Sequence, residues 1–162
     1  MAMERSRIVR MTVNGVEYER EVEVRKTLAD FLREDLGLRG THLGCEHGVC
    51  GACTIMFDDA TVRSCIMYAV QADGADILTV EGMAPPGGPL HPIQEAFRDH
   101  HGLQCGFCTP GFLMPALELL VEKRNPSEDE IREAISGNLC RCTGYQGIVE
   151  AIRAADETWE RS

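Results

Sequence analysis

Residues 43–54 read LGCEHGVCGACT, a glycine-rich stretch that carries Cys45, Cys50 and Cys53. Gly44, Gly48 and Gly51 stand beside and between these cysteines. Glycine lets a backbone turn tightly around a bound group. It also lets amide N–H groups point at sulfur, where they stabilise negative charge. The stretch therefore reads as a loop that wraps a thiolate-held centre, and the elements on either side are read as its support.

Cys65 supplies a fourth thiol and completes C-x4-C-x2-C-x11-C, the plant-type ferredoxin spacing for a 2Fe–2S cluster. Structural zinc prefers two C-x2-C knuckles, which Cys45 and Cys65 do not make. His47 lies inside the loop and raises the question of a Rieske centre. Four cysteines already meet the ligand count, so His47 reads as a solvated loop residue.

The remaining four cysteines form a second set. QCGFCTPG at residues 104–111 contains Cys105 and Cys108, and GNLCRCTGY at residues 137–145 contains Cys140 and Cys142. The pattern is C-x2-C-x31-C-x-C, and no cysteine of the eight is left over. Both pairs precede expected helices, so two helix N-termini can face one anionic centre. On spacing alone this set is weaker, and a structural zinc site stays open for it.

Around the first loop the chain reads as strands and one helix. Ile8 to Val13 and Val16 to Val24 alternate apolar and polar residues about Asn14-Gly15, a strong hairpin turn. Thr27 is a cap for a helix to about Leu36, with Leu28, Phe31, Leu32 and Leu36 on one face. Short β-type stretches follow at Thr54 to Phe57, Val62 to Cys65 and Ile77 to Val80. Together they predict a small mixed sheet packed on one helix. Residues 82–92, GMAPPGGPLHP, hold four prolines and three glycines and read as a linker between residues 1–81 and 93–162. Beyond it, four helices are expected. Ile93 to His101 forms the first. Thr109 is read as the N-cap of the second, ahead of Pro110, with a stripe of Leu113, Ala116, Leu117, Leu120 and Val121. Ser127 and Glu130 make a capping box for the third, before Ile131, Ala134 and Ile135. The last carries Ile148, Ala151, Ile152, Ala155 and Trp159 on one face. Four such helices make a small bundle, and the fold class is α+β.

Composition narrows the partners. The 162 residues are 44% hydrophobic, enough for a core, and carry a formal charge of −10. Such a surface repels nucleic acid and anionic membrane, so neither is expected as a partner. No secretory signal is expected, because the N-terminal MAMERSRIVR has no apolar run, and no transmembrane segment, because the most apolar stretch, Phe112 to Val121, is too short to span a bilayer. A cytoplasmic location follows as the expectation. There thiols stay reduced, so grouped cysteines point to metal or redox chemistry rather than disulfides.

GCEHGVCGACT, QCGFCTPG and GNLCRCTGY, in that order, resemble the small iron–sulfur subunit of the molybdenum hydroxylases. That family includes xanthine oxidase, aldehyde oxidoreductase and the bacterial heterotrimers like carbon monoxide dehydrogenase. The match runs from about residue 8 to residue 157, with no departure at a ligand position. The resemblance implies an N-terminal β-grasp ferredoxin-like domain, a C-terminal four-helix bundle and one 2Fe–2S cluster in each. It implies a large partner subunit with a molybdenum–pterin cofactor and a medium partner subunit with FAD, in a heterotrimer or a dimer of heterotrimers. It also implies that the helical-domain cluster lies nearer the pterin and the other nearer the flavin. Carried over by position, Gln104 and Cys142 approach the pterin. Without the resemblance, Gln104 reads as a capping or surface residue.

Other residues carry less. Arg141 stands between two candidate ligands and is equally readable as a solvated arginine. His100 and His101 read as a surface pair, and Met67, Met83 and Met114 as packing residues. No G-x-G-x-x-G follows a strand, and no nucleophile–base pair stands out, so no complete active site is expected on this chain. The expected role is electron transfer within a molybdenum-dependent oxidoreductase. The alternatives are a free-standing ferredoxin-like carrier, which leaves the helical half unexplained, and a zinc-stabilised interaction module.

Overall fold

The computed structural model describes residues 5–160. Strands β1 (Ser6–Val13) and β2 (Val16–Glu23) pair antiparallel along their full length. Asn14 and Gly15 join them at φ 53° and 76°, the two left-handed residues that a tight hairpin requires. Three shorter strands follow: β3 (Thr54–Phe57), β4 (Ala60–Arg63) and β5 (Asp76–Leu78). The sheet order is β2-β1-β5-β3-β4, with β1 and β5 parallel and the other neighbours antiparallel. Val9, Met11, Val13 and Val22 alternate onto one face, where they meet Phe31, Leu32, Ile55 and Ile77 in a closed core.

Helix α1 (Leu28–Asp30) starts at Thr27, whose hydroxyl accepts from the Asp30 amide at 3.1 Å. The expected regular helix to Leu36 does not form. Residues Phe31–Asp35 make a π-helical turn, closed by Leu36 N–H on the Phe31 carbonyl at 3.2 Å. Leu28, Phe31 and Leu32, the face expected from the sequence, are fully buried together with Ala29. The strand expected over Val62 to Cys65 also ends early. It stops at Arg63, and a 3-10 turn (Ser64–Ile66) carries Cys65. Ser64 Oγ donates to the Cys53 carbonyl at 2.7 Å, bending the chain toward the cysteine loop.

Four helices make up the second half: α2 (Pro92–Asp99), α3 (Thr109–Glu122), α4 (Glu128–Ala134) and α5 (Gln146–Thr158). Helix α2 packs on α3 and α5, and α4 packs on α3 and α5. Their core holds Ile93, Phe97, Phe112, Leu120, Ile131, Ile148 and Ile152. The capping box is present, with Ser127 Oγ accepting from Glu130 N–H and Glu130 bonded back to Ser127 N–H. Helix α3 departs from its expected stripe. Val121 is 64% exposed, whereas Phe112 and Met114 are fully buried. The added burial of Phe112 and Met114 goes with a second contact, because α3 also lies against β3 and β4 of the sheet. Segment 82–92 is anchored by Met83, which is buried in the helical core. Met56, Leu78 and Val80 from the sheet side pack on that core too, so the two halves share an apolar boundary. Among the described residues no helix is long and apolar enough to cross a membrane.

Candidate metal centres

Cys45, Cys50 and Cys53 sit in the loop before β3, and Cys65 sits in the 3-10 turn after β4. Left-handed backbone at Glu46 (φ 57°), Gly48 (φ 83°) and Gly51 (φ 75°) folds that loop back on itself. The Cys50 N–H reaches Cys45 Sγ at 3.4 Å. A Cβ on Gly44 would lie 3.1 Å from Cys50 Sγ, a tight contact that glycine avoids. The thiols meet two by two, Cys45 with Cys50 and Cys53 with Cys65. Cys53 and Cys65 are buried, and the other pair is half-buried. The Cys50 and His47 amides draw the Cys45 thiol down to about 6, while burial pushes Cys65 up to about 12. His47 is exposed, and its Nδ1–H donates to the Cys45 carbonyl, a loop-closing role rather than a ligand's.

The second set is brought together in the same way. Cys142 Sγ lies 3.6 Å from Cys105 Sγ, and Cys108 meets Cys140. Cys105 and Cys142 are exposed, Cys140 is buried and Cys108 is half-buried. Burial lifts the Cys108 thiol to about 12. Burial also opposes ionisation of Cys140, yet the Thr143 hydroxyl and amide bring that thiol below its usual range. The N-cap expected at Thr109 falls one residue earlier. Thr109 N–H closes a turn on the Gly106 carbonyl at 3.2 Å, which puts Cys108 in helical backbone and makes it the cap of α3. The Thr109 hydroxyl oxygen is buried without a protein partner. Helix α5 begins after Tyr145, so both long helices start beside these thiols.

Sequence reasoning missed the residues that join the two sets. Leu139 N–H donates to the Cys50 carbonyl at 2.9 Å. Buried Asn138 donates through Nδ2 to the Gly51 carbonyl (3.0 Å), the Gly111 carbonyl (2.7 Å) and Thr54 Oγ1 (3.3 Å). Its Oδ1 accepts from Arg63 at 3.2 Å, and Arg63 also reaches the Gly137 carbonyl and Thr54 Oγ1, both at 2.6 Å. His42 stacks on Phe107 with ring centroids 4.9 Å apart, a second link. The only available signal was position, since Asn138 lies within GNLCRCTGY. Gln104 is exposed beside Cys105, and Arg141, His100 and His101 are exposed. Met83 and Met114 are buried core residues, and Met67 packs on the sheet core.

The donor set suits two irons, each held by a pair of thiolates. Among the described residues no group of three or more His, Cys, Asp or Glu side chains is placed to hold a single ion. The glycine-lined wrap at Gly44 and the unpartnered Thr109 hydroxyl also fit a bound group with sulfur acceptors.

Residues 11–79 match the family described as a 2Fe-2S iron-sulfur cluster binding domain, and residues 79–153 match the [2Fe-2S] binding domain. The caffeine dehydrogenase subunit gamma of Pseudomonas sp. strain CBB1 is 57% identical over 158 residues, covering 96% of this chain and 94% of that protein. The nicotine 6-hydroxylase small subunit of Paenarthrobacter nicotinovorans is 60% identical over 140 residues, covering 86% of this chain and 84% of that one. Among solved structures, a chain of quinoline 2-oxidoreductase from Pseudomonas putida 86 superposes with a TM-score of 0.91 at 52% identity, covering 95% of this chain and 96% of that chain. With two cluster-binding units, paired thiols in each and relatives of the same length, the chain belongs to the small iron–sulfur subunits of the molybdenum hydroxylases, whose role is electron transfer.

Proposed function

We propose that this chain carries electrons from a molybdenum–pterin site on a large partner subunit to FAD on a medium partner subunit. In this reading residues 1–81 are a β-grasp ferredoxin-like unit and residues 93–162 a four-helix bundle, joined through residues 82–92. Cys45, Cys50, Cys53 and Cys65 hold one 2Fe–2S cluster, and Cys105, Cys108, Cys140 and Cys142 hold the other. When bound, such clusters supply one-electron redox chemistry, so two in series divide a two-electron substrate oxidation into single transfers.

The chain's own work is ligation, spacing and burial. The observation that carries the reading is the bond from Leu139 N–H to the Cys50 carbonyl, which puts one cysteine loop in direct contact with the other. Exposed Cys105 and Cys142, with Gln104 and Phe107 beside them, leave the second set open on one side for the pterin subunit. Buried Cys53 and Cys65 keep water away from the first. An amide at Gln104 offers both a donor and an acceptor to a heterocycle. The complex is a cytoplasmic heterotrimer or a dimer of heterotrimers. The substrate site lies on the large partner subunit.

Affinity purification from the native host, with iron, molybdenum and flavin analysis, tests this. The expected result is co-purification of two larger chains with molybdenum, FAD and four irons per copy of this chain (two in each cluster). Recovery of this chain alone, with two irons or none, would sink the reading.

A further inference from the structure

Three cysteines in this chain are each followed by a threonine: Cys53-Thr54, Cys108-Thr109 and Cys142-Thr143. Their hydroxyls have different partners. Thr54 Oγ1 donates to the Gly51 carbonyl, and Thr109 Oγ1 is buried without a protein partner. Thr143 Oγ1 lies 3.2 Å from Cys140 Sγ, and the Thr143 amide lies 3.4 Å from the same sulfur.

The direction of the Thr143 bond is determined by its surroundings. Tyr145 N–H donates into Thr143 Oγ1 at 3.1 Å, which leaves the hydroxyl proton free to point elsewhere. A thiolate that ligates iron has no proton to give, so the hydroxyl is the donor to Cys140. Tyr145 is held for this purpose at both ends. Its backbone stands at φ 70°, a left-handed conformation unfavourable for a bulky residue. Its phenol oxygen accepts from Cys140 N–H at 3.0 Å, and its ring meets Phe112 edge-on at 6.1 Å. The loop thus maintains a strained residue that orients a single hydroxyl toward one sulfur.

We infer that Thr143 is a positioning residue that raises the reduction potential of the helical-domain cluster through its hydrogen bond to Cys140. The inference rests on the ligation proposed above. Reduction adds one electron and breaks no bond. Part of the added charge falls on the thiolate sulfurs, and an O–H donor there stabilises the reduced state more than the oxidised one. The corresponding threonine of the first loop, Thr54, spends its hydroxyl on a carbonyl, so the effect is confined to one cluster.

The test is a redox titration of the purified complex followed by electron paramagnetic resonance, comparing wild type with Thr143→Val, Thr143→Ala and Thr143→Ser. Two distinct signals in the wild type establish independently that both clusters are present; a single signal would defeat the two-cluster reading and this inference with it. With both present, the inference expects one signal to titrate at a more negative potential in the Val and Ala variants. The other signal should be unmoved, and the Ser variant should stay close to wild type. Unchanged midpoints in the Val or Ala variant would overturn it, as would a Ser variant shifted as far as Ala. Loss of one cluster from both hydroxyl-free variants, with retention in Ser, would also overturn it, by showing that the hydroxyl serves assembly rather than potential.

Discussion

The amide of Leu139 donates to the carbonyl of Cys50 at 2.9 Å, so the residue before Cys140 is bonded directly to a candidate ligand of the other set. The Leu139 side chain is 53% exposed, which leaves this contact to the backbone alone. A covalent path interrupted by one hydrogen bond therefore connects the two cysteine loops. Asn138, buried next to it, fixes the geometry of that bond from the side.

The Leu139 amide is expected to exchange slowly with deuterated solvent, despite its exposed side chain. Breaking the bond requires the two halves to part, which makes opening a cooperative event rather than local fraying. Leu139→Ala should keep that protection and change stability by no more than about 0.5 kcal/mol. Peptide-resolved hydrogen exchange of the holoprotein checks both expectations. Fast exchange at Leu139 in the wild type would contradict the contact.

Asn138→Ala should destabilise the protein by about 3 kcal/mol. The change leaves the Gly51 and Gly111 carbonyls without the Asn138 donor and takes an acceptor from Arg63. Asn138→Asp should cost at least as much, since a carboxylate cannot donate to those carbonyls. Denaturant unfolding followed by visible absorbance of the clusters gives the comparison. A cost below about 1 kcal/mol for Ala would show that water replaces the amide.

Gly111→Ala tests a close backbone approach between the halves. A Cβ there would fall 2.3 Å from the Gly51 carbonyl oxygen and 3.0 Å from Ala52 Cα, both backbone atoms that cannot swing aside. Gly74 is the control, because it has φ 85° and open space around its Cβ position. Gly74→Ala should cost about 1 kcal/mol from backbone strain alone. Gly111→Ala should cost well over that and reduce iron content. Thermal unfolding and iron analysis on the two variants separate strain from collision.

These residues show why part of the site was legible and part was not. Cysteine spacing, the Asn14-Gly15 turn and the Ser127–Glu130 box are local patterns, and local chemistry determines them. The partners of Asn138 lie 87, 84 and 27 residues away in sequence, so nothing near Asn138 announces its bonds. The expected stripe on α3 left out the buried Phe112 and Met114 for the same kind of reason. A helix wedged between a sheet and other helices buries residues that a single-face reading assigns outward. The Thr109 cap failed because the turn at Gly106 had already put Cys108 into helical backbone.

Replacing one candidate ligand in each set should affect the two clusters separately. Cys65→Ser is expected to remove or alter one of the two paramagnetic signals of the reduced protein, and Cys142→Ser the other. The thiols meet in separate groups, Cys65 with Cys53 and Cys142 with Cys105, which is the basis for expecting independence. Persistence of both signals unchanged in either variant would show that the replaced cysteine is not a ligand.

Glu130 supplies a pH dependence that lies away from the cysteines. The Lys123 ammonium beside it, with the Ser127 amide and hydroxyl next, draws its carboxyl from 4.5 down to about 2. A carboxyl whose folded pKa is depressed binds its proton more readily when unfolded. Its contribution is therefore fully present above about pH 4.5 and is lost as pH falls toward 2. Carboxyl-carbon NMR of the wild type should find Glu130 still ionised at pH 4, where an ordinary glutamate is more than half protonated. Ser127→Ala and Lys123→Met should each move that titration upward, Lys123→Met further, because the ammonium is the larger cause. A Glu130 midpoint near the ordinary value in the wild type would show that the box is not closed in solution.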